Sequence, residues 1–490
     1  MFATVVLLLL MLLLLFVSVV FENKTRKYPP GPFSWPFIGS QFLLKRLSRE
    51  LGGQHMAFLE LSKRYDSEVI TVDIGTDKVL VISGNKLIQN VMKNEEYDGR
   101  PWNEFIKIRN MGKKQGITMN DGSEWKELRG WMVRTMRIFG FGKREMSEMI
   151  KNELVVLQEN LKKGGVRKLK PLITPAVVNV LWNVATGKPF CEDDKLQYFS
   201  DLMERRAQVF DMLGGLLTTF PWIRYVAPVA SGYNLLLTLN NELKAFLLDT
   251  IEEHRKNYKP GCEADVIDMF LHEMINNEDA GGIFTVDQLV ILLLDLFIAG
   301  CTTTGITLDF LFMHMAVHQE VQRKLQQEID SVIPRDRLPD LADRTKLPYA
   351  EAIIFESQRM CPVFPILGPR RVLRETNLDK YTIPKNATIL MNTYSITSDP
   401  NIYPEPNKFK PERFIKNGAF EPDTYSLSFG KGKRRCPGEA LAKAAMFILF
   451  IGVMQKFTVL PVPGKGPKAV ETIPGLTISP KPYKVLVVPR

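Results

Sequence analysis

The chain has 490 residues, a formal net charge of +10 and a hydrophobic fraction of 45%. No Ser/Gly-rich linker, low-complexity block or internal repeat divides it, so we expect one large unit although the length would suit about three average domains. The modest charge argues against nucleic acid as a partner and favours a basic face for an acidic protein or an anionic lipid surface. Five widely spaced cysteines without a Cys-x-x-Cys pair argue against a disulfide framework and a zinc site.

The N-terminal segment predicts a membrane anchor. Residues 1–21 carry no charged side chain and are rich in leucine. As a helix rising about 1.5 Å per residue, they reach roughly 30 Å, enough to cross a bilayer. A cleaved secretory signal, the competing interpretation, needs an early positive region and a small-residue cleavage site. Lys24, Arg26 and Lys27 follow the apolar stretch and place the rest of the chain on the cytosolic side.

A basic and proline-rich segment, 22–32, follows the anchor and ends in a Pro-Pro-Gly-Pro run. Because proline fixes φ and stiffens the chain, we predict a rigid hinge between the membrane and the globular part. The catalytic unit is predicted to occupy 33–490.

The residues after the hinge predict a hairpin, a loop and a helix in turn. Two β-rich runs within 68–83 flank a Gly-Thr-Asp turn and predict a hairpin. Residues 102–120 have no clear period and predict a loop beside a pocket. Ser123 is expected to cap the next helix. On that helix Trp125 and Arg129, four residues apart, share one face and are expected to reach one ligand together.

Residues 146–272 are mostly helical in pattern, with breaks at 164–165, 187–189 and 220–221. Apolar side chains lie close together before the last break. They are Phe210, Met212, Leu216, Leu217 and Phe220. Two interpretations stay open for them, a part of the core or a cap over a substrate cavity.

The most apolar helix is predicted over 286–317, and it is expected to be central because it is apolar around much of its circumference. Gly300 at mid-helix costs roughly 1 kcal/mol relative to alanine, so we expect it to allow close approach of a ligand. Thr302 and Thr303 follow. Their hydroxyl groups either face that ligand or bond back to the helix backbone.

Residues 429–438 read Phe-Gly-Lys-Gly-Lys-Arg-Arg-Cys-Pro-Gly and precede a long apolar helix. Glycines are expected to reach positive φ and to approach a flat ligand closely. Positive charge and the N–H groups of the next helix favour an ionised sulfur on Cys436. The glycines are Gly430, Gly432 and Gly438, and the basic residues are Lys431, Lys433, Arg434 and Arg435. A buried free cysteine beside a solvated basic loop is the alternative interpretation.

The pattern Phe429-x-x-Gly432-x-Arg434-x-Cys436-x-Gly438 resembles the haem-binding loop of the cytochrome P450 superfamily. The resemblance implies the cytochrome P450 fold, mostly α with a small β domain. It also implies that Cys436 is the axial thiolate ligand of the iron in haem b. Arg434 would pair with a haem propionate, and Phe429 would pack near the sulfur.

The resemblance extends to other haem contacts. It implies propionate partners at Arg100, in the pair Trp125-x-x-x-Arg129, and at Arg370, where many relatives have histidine. Arginine can make the same charge-assisted contact.

Two further features of the second half match the family. Glu356-x-x-Arg359 together with Arg413 resembles its buried structural group. Residues 362–368 and the turn 474–477 would line the pocket above the haem.

The central helix departs from the family at one position. The family pattern is Ala-Gly-x-acid-Thr, and Thr303 matches the threonine that relays protons to the oxygen site. Thr302 stands in place of the acid and can only align waters, since threonine does not ionise in this pH range. Both threonines are candidate catalytic residues, and proton delivery needs another route or the reaction needs less of it.

The resemblance implies a haem-thiolate monooxygenase of the endoplasmic reticulum membrane with a cytosolic catalytic domain. Electrons from NADPH would pass through the flavins of NADPH–cytochrome P450 reductase, with cytochrome b5 as a second candidate partner. The expected docking face for an acidic reductase includes a basic stretch. Its members are Arg134, Arg137, Lys143 and Arg144. Membrane lipid and a lipophilic substrate complete the expected partners.

The chain is most similar to insect members related to the methyl farnesoate epoxidases, through features such as Phe-Gly-Phe-Gly at 139–142 and Gly-Pro-Arg-Arg at 368–371. Epoxidation of methyl farnesoate in juvenile-hormone synthesis is therefore the first substrate hypothesis. Oxidation of an aromatic amino acid or amine toward an aldoxime or nitrile, and xenobiotic clearance, are the alternatives. The contrasting class is a membrane haem protein that is not an oxygenase.

Overall fold

A computed structural model describes residues 28–139, 144–190, 192–209, 215–276, 282–475 and 477–490. Several predictions from the sequence lie outside these residues. They are the anchor at 1–21, the first part of the hinge at 22–32, the end of the 139–142 motif, Lys143, Phe210, Met212 and Leu476.

The described chain is mostly helical. The α-helices are α1 (Gln41–Leu51), α2 (Gln54–Arg64), α3 (Asn85–Lys93), α4 (Glu104–Arg109), α5 (Gly122–Ile138), α6 (Arg144–Leu161), α7 (Lys170–Thr186), α8 (Asp193–Val209), α9 (Leu216–Thr219), α10 (Ile223–Val226), α11 (Tyr233–Asn257), α12 (Val266–Asn276), α13 (Val286–Val317), α14 (Gln319–Val332), α15 (Pro348–Met360), α16 (Tyr394–Thr397) and α17 (Glu439–Lys456). Short 3₁₀ turns at Glu95–Tyr97, Leu341–Lys346, Pro411–Phe414 and Gly432–Arg434 separate some of them.

Small sheets lie beside the helices. The strands are β1 (Val69–Ile74), β2 (Asp77–Ile82), β3 (Gly165–Arg167), β4 (Ile366–Arg371), β5 (Thr376–Leu378), β6 (Tyr381–Ile383), β7 (Thr388–Asn392), β8 (Ile415–Lys416), β9 (Ala419–Phe420), β10 (Phe457–Pro461), β11 (Thr472–Ile473), β12 (Ser479–Pro480) and β13 (Val485–Pro489). One sheet has the order β1-β2-β7-β4, and a second has the order β10-β13-β3. The pairs β5–β6, β8–β9 and β11–β12 are two-stranded.

The predicted hairpin is confirmed as β1 and β2, which pair antiparallel from Val69 opposite Ile82 to Ile74 opposite Asp77. β2 then pairs parallel with β7, and β7 pairs antiparallel with β4. The described end of the hinge lies against this sheet, because Thr71 donates its N–H to Pro30 and its hydroxyl to Pro29 at 2.8 and 2.9 Å. The prolines are therefore fixed to the globular part.

The predicted central helix is confirmed as α13. The Thr285 side chain caps its first turn by accepting a backbone N–H. Although α13 is long and apolar enough to cross a membrane, most of its apolar stretch is buried inside the protein. It packs with α6, α7 and α17 in the largest hydrophobic cluster. Gly452 of α17 lets Leu154 of α6 approach closely, since a Cβ there would lie 2.2 Å from the Leu154 side chain.

The predicted structural group is confirmed as a buried ion-pair network. Glu356 of α15 is fully buried and accepts from Arg359 at 2.6 and 2.9 Å and from Arg413 at 3.0 Å. Arg359 also donates to the carbonyl of Thr397, and the N–H of Lys410 donates to Glu356. The network ties α15 to the irregular segment that leads to the Cys436 loop.

Candidate functional site

The Cys436 loop is held by its own backbone. The N–H of Cys436 donates to the carbonyl of Phe429 at 2.8 Å, and the N–H of Gly438 points at the sulfur. Gly430 and Gly432 have φ of +67° and +72°, as expected for glycines in this loop. The expectation for Gly438 is wrong, because its φ is −85° and it caps α17 in a conformation open to any residue.

Gly432 is needed for a second reason. A Cβ at this position would lie 2.1 Å from the carbonyl oxygen of Met92 at the end of α3. The Cys436 loop therefore docks on the last turn of α3 through a residue without a side chain.

The charges around the sulfur differ in part from the prediction. The side chain of Cys436 lies at the surface, but the surrounding loop removes water from its sulfur, and this desolvation raises the pKa of the thiol. The Gly438 N–H, Arg129 and Arg435 oppose that rise. Lys431 and Lys433 are bound elsewhere, so they do not act on the sulfur in the way expected. Their partners are the carbonyl of Thr424 and the carboxylate of Glu95.

Arg434 lies beside the loop and over the ring of Trp125, with 3.6 Å from its Cζ to the ring centroid. Its Nε and Nη2 donate to the carbonyl of Asp98 at 3.0 and 2.6 Å. Nη1 is buried and has no partner among the residues that the structure describes. Burial lowers the pKa of Arg434 to about 10, so the group stays charged at neutral pH.

Arg100 is the second arginine with an unused donor. Its Nη1 donates to the carbonyl of Pro369 at 2.6 Å, and its Nε is buried without a partner in the described part of the chain. Burial lowers its pKa, and the nearby charges of Arg434 and Arg370 add to the effect.

Arg370 lies in the same group, but its contact differs from the one the sequence suggested. Its Nη1 donates to Oδ1 of Asp98 at 2.6 Å, and both residues are buried. Burial raises the pKa of the Asp98 carboxyl against the opposing effect of Arg370 and Arg434. No sequence pattern singled out Asp98; an acid one residue before the Gly-Arg-Pro run was the available signal.

The predicted pair on α5 is brought to the same site. Arg129 donates to the carbonyl of Arg435, and its Cζ lies 5.7 Å from the centroid of the Trp125 ring. The Trp125 N–H is used by the carbonyl of Ile117 at 3.1 Å, so the indole contributes its ring face. The helix begins at Gly122 and Asp121 is the cap position, so the prediction of a Ser123 cap is wrong.

The two threonines of α13 have different surroundings. Thr303 donates its hydroxyl to the carbonyl of Ala299 at 2.7 Å, which is the backbone-bonding alternative. Thr302 is half-buried. Gly300 has a close protein neighbour, since a Cβ there would lie 2.6 Å from the side chain of Leu181 on α7. The close approach of a ligand to Gly300 stays a prediction.

The predicted pocket loop, 102–120, is a loop only in its second half, because α4 (Glu104–Arg109) lies in the first. One residue of α13 that the sequence analysis missed holds this second half. Asp295 is buried and accepts from the N–H groups of Ile117 and Thr118, each at 2.9 Å, and from two nitrogens of Arg109 at 3.2 Å. Gly116 permits this approach, because a Cβ there would lie 2.4 Å from Asp295. A carboxylate in the most apolar part of the helix was the signal, since a buried charge needs partners.

The other predicted pocket segments are joined to one another. Ile478, just after the 474–477 turn, donates its N–H to the carbonyl of Val363 at 2.9 Å. In the segment 362–368, strand pairing begins only at Ile366. Leu217 is buried against Phe105, whereas Leu216 is exposed, so the apolar stretch 216–220 is part core and part surface.

The arginines beside the Cys436 loop suit a flat ligand that carries two carboxylates. Four arginines converge here, namely Arg100, Arg129, Arg370 and Arg434. Asp98 is paired with one of them, and two buried donors, on Arg100 and Arg434, have no partner in the described structure. Such donors normally find an acceptor. A haem with two propionates and an iron that takes a thiolate ligand fits these residues.

Comparison with known proteins identifies the family. The family model for Cytochrome P450 matches residues 29–487. "Probable cytochrome P450 305a1" of Drosophila melanogaster is 39% identical over 482 residues, 96% of this chain and 95% of the relative. "Farnesoate epoxidase" of Bombyx mori is 35% identical over 468 residues, 94% of each chain.

A vertebrate protein is similar over the same length. "Cytochrome P450 2J2" of Homo sapiens is 32% identical over 478 residues, 96% of this chain and 93% of the relative. The mostly helical fold with small sheets agrees with the family match, and the family implies a haem cofactor. The chain therefore belongs to the cytochrome P450 family and is a cytochrome P450 monooxygenase.

Proposed function

We propose that this chain inserts one oxygen atom of O₂ into a lipophilic small molecule, with electrons from NADPH that reach it through the flavins of a reductase. The observation that carries the proposal is the placement of Cys436, Arg100 and Arg434 around Arg129, whose charge acts on all three. Arg100 and Arg434 each have one buried donor without a partner among the described residues. The haem, when bound, supplies the activation of oxygen and accepts the electrons.

Each side chain of the site has a role in this proposal. Cys436 is the thiolate ligand, and the Gly438 N–H with the start of α17 stabilises the negative sulfur. Arg100 and Arg434 donate to the propionates through their unused nitrogens. Trp125 packs its ring on Arg434, and Arg129 holds the loop through the Arg435 carbonyl. Phe429 fixes the backbone of Cys436.

On helix α13, Thr303 is the candidate for proton delivery. Its hydroxyl can accept a hydrogen bond while it donates to the Ala299 carbonyl, so it can hold a water. Thr302 adds a second hydroxyl but no carboxylate. Proton transfer then depends on ordered water and not on an ionisable side chain of these two positions.

The proposed place of the protein is the endoplasmic reticulum membrane, with 1–21 as anchor, 22–32 as hinge and 33–490 as a cytosolic catalytic unit. An exposed apolar surface near the tip of the β1–β2 hairpin supports this. Gly39 bridges to Ile74 at the tip, and the next residue, Gly75, lies against the Thr219 carbonyl. The exposed side chains on both flanks are Phe33, Trp35, Phe37, Phe42, Trp222, Tyr225, Val226 and Val229. An apolar surface of this kind suits a lipid interface.

We propose methyl farnesoate as the first substrate, oxidised to its epoxide. The similarity to "Farnesoate epoxidase" of Bombyx mori supports this choice. An apolar ester without charge also suits the apolar residues beside the predicted pocket loop, including Phe105, Ile106 and Met119.

The experiment incubates the purified full-length chain with reductase, NADPH and methyl farnesoate, followed by mass spectrometry. The expected product is heavier by one oxygen atom and depends on NADPH. The control is the carbon-monoxide difference spectrum, which should show a thiolate-type Soret band and lose it in Cys436→Ala.

The outcomes separate the levels of the proposal. A thiolate spectrum with no product would contradict the substrate and leave the monooxygenase in place. Aromatic amino acids, amines and xenobiotics are then the next substrates to assay. A chain that binds haem without a thiolate spectrum would overturn the role of Cys436. A spectrum without NADPH consumption for any substrate would overturn the oxygenase function.

A further inference from the structure

The segment 95–100 joins the Cys436 loop to strand β4. Glu95 pairs with Lys433 of the loop, and the carbonyl of Asp98 receives Arg434. On the other side, Glu96 binds Arg374 at 2.6 Å. This segment therefore contacts both the loop and the residues that follow β4.

Asp98 is the buried member of this segment. Its carboxylate binds Arg370 at 2.6 Å, and the two side chains are 11% and 5% exposed. The Glu95–Lys433 pair, by contrast, is 70% and 52% exposed and is screened by water. A buried carboxylate paired at this distance neutralises the guanidinium that it contacts, and removing one partner leaves an uncompensated charge.

Asp98 also acts through its main chain. Its carbonyl takes both Nε and Nη2 of Arg434, which leaves Nη1 as the free donor. Arg100, two residues later, is left with Nε free. The side chain of Asp98 thus occupies Arg370, and its carbonyl occupies two of the donors of Arg434.

We propose that Asp98 is a positioning residue for the haem: its carboxylate neutralises Arg370, so Arg100 and Arg434 take the propionates. The inference rests on the proposed function, since it assumes that haem is the ligand. It assigns Arg370 a charge-balancing role in place of direct propionate contact. The number of uncompensated charges beside the cofactor then sets the electric potential at the iron.

The test uses the full-length chain and a charge cycle of Asp98→Asn, Arg370→Gln and the double variant. Haem bound per chain, the rate of haem transfer to apomyoglobin and the midpoint potential of the iron are measured. Glu95→Gln is the matched control, because it removes an exposed ion pair from the same segment. Circular dichroism reports whether each variant folds.

The single variants should shift the midpoint potential in opposite directions. Asp98→Asn frees the charge of Arg370 and should move the potential to more positive values. Arg370→Gln leaves the Asp98 carboxylate unpaired near the propionates. It should move the potential to more negative values and speed haem loss roughly tenfold, because the unpaired carboxylate repels the propionates. The double variant and Glu95→Gln should match the wild type.

Direct contact between Arg370 and a propionate predicts a different pattern. The double variant would then lose haem as fast as Arg370→Gln, and this result would overturn the proposal. The double variant removes both charges together, so it carries the test even where a single variant does not fold. Wild-type protein that binds no haem would contradict the proposed function itself. If the wild type binds haem but the variants of the charge cycle do not behave as expected, only the role of Asp98 is contradicted.

Discussion

At the scale of single residues, two glycines of the Cys436 loop show that glycine can be needed for its backbone conformation or for the space that it leaves. Both Gly430 and Gly432 have positive φ. A Cβ at Gly430 would have no described atom within 4 Å, whereas a Cβ at Gly432 would lie 2.1 Å from the Met92 carbonyl oxygen. Both positions therefore have the left-handed backbone conformation, but only Gly432 also lacks space for a side chain.

These positions give a matched pair of variants. Gly430→Ala should cost about 1–2 kcal/mol of stability from the left-handed conformation alone and should keep its haem. Gly432→Ala should pay the same conformational cost and also displace the loop from α3, so haem content should fall severalfold. Haem absorbance per chain and thermal unfolding measure the two effects. Equal haem content in both variants would contradict a docking role for Gly432.

The candidate residues that the sequence analysis singled out carry local signals. Cys436, Arg434 and Phe429 stand in one ten-residue pattern, and Glu356 with Arg359 lies within one helical turn. Asp98 was missed because its partners Arg370 and Arg434 are far away in the chain. No periodicity encodes such contacts. For the same reason the contact between Gly300 and Leu181 could not be predicted from the sequence.

At the scale of elements, α13 organises the pocket side of the protein through Asp295. Both bounds of α13 followed from its apolar run. The loop that it holds could not be placed from sequence, because 110–121 has no regular structure of its own beyond a few turns. Its shape comes from Asp295, which accepts from the backbone at Ile117 and Thr118 and from the Arg109 guanidinium.

Asp295→Asn should therefore loosen this loop. An amide cannot neutralise Arg109, and breaking a buried pair in this way costs about 3–5 kcal/mol. Hydrogen exchange of residues 110–121 should accelerate strongly, with little change in α17. Asp287→Asn is the control, since Asp287 of the same helix binds Lys113 of the same loop in an exposed pair at 3.1 Å. The control should cost less than about 1 kcal/mol, and similar exchange in both variants would argue against Asp295 as the anchor.

At the scale of the whole molecule, the site lies between a helical core and the four-stranded sheet. Arg370 comes from β4, and Arg129 comes from α5. The Cys436 loop precedes α17 and docks on α3. The largest hydrophobic cluster is helical, and two smaller clusters include residues of the sheet. A ligand held by these residues therefore joins parts of the protein with separate cores.

Removal of haem should loosen this junction first. A ligand that binds only the folded state adds stability, and the gain is largest where it makes contacts. Hydrogen exchange should rise in 95–100 and 429–438 of the haem-free chain, while the buried part of α17 at 444–455 stays protected. Equal changes in all three regions would show that haem stabilises the protein as one unit and would contradict a local role.

The contact between Gly300 and Leu181 has a consequence for redesign. A side chain at 300 would require Leu181 to shift, because its Cβ would lie 2.6 Å from the Leu181 side chain. Gly300 is therefore part of the packing of α13 on α7. Position 302 is half-buried. An engineer who wishes to alter proton supply can therefore change the chemistry at 302 and leave the scaffold at 300 untouched.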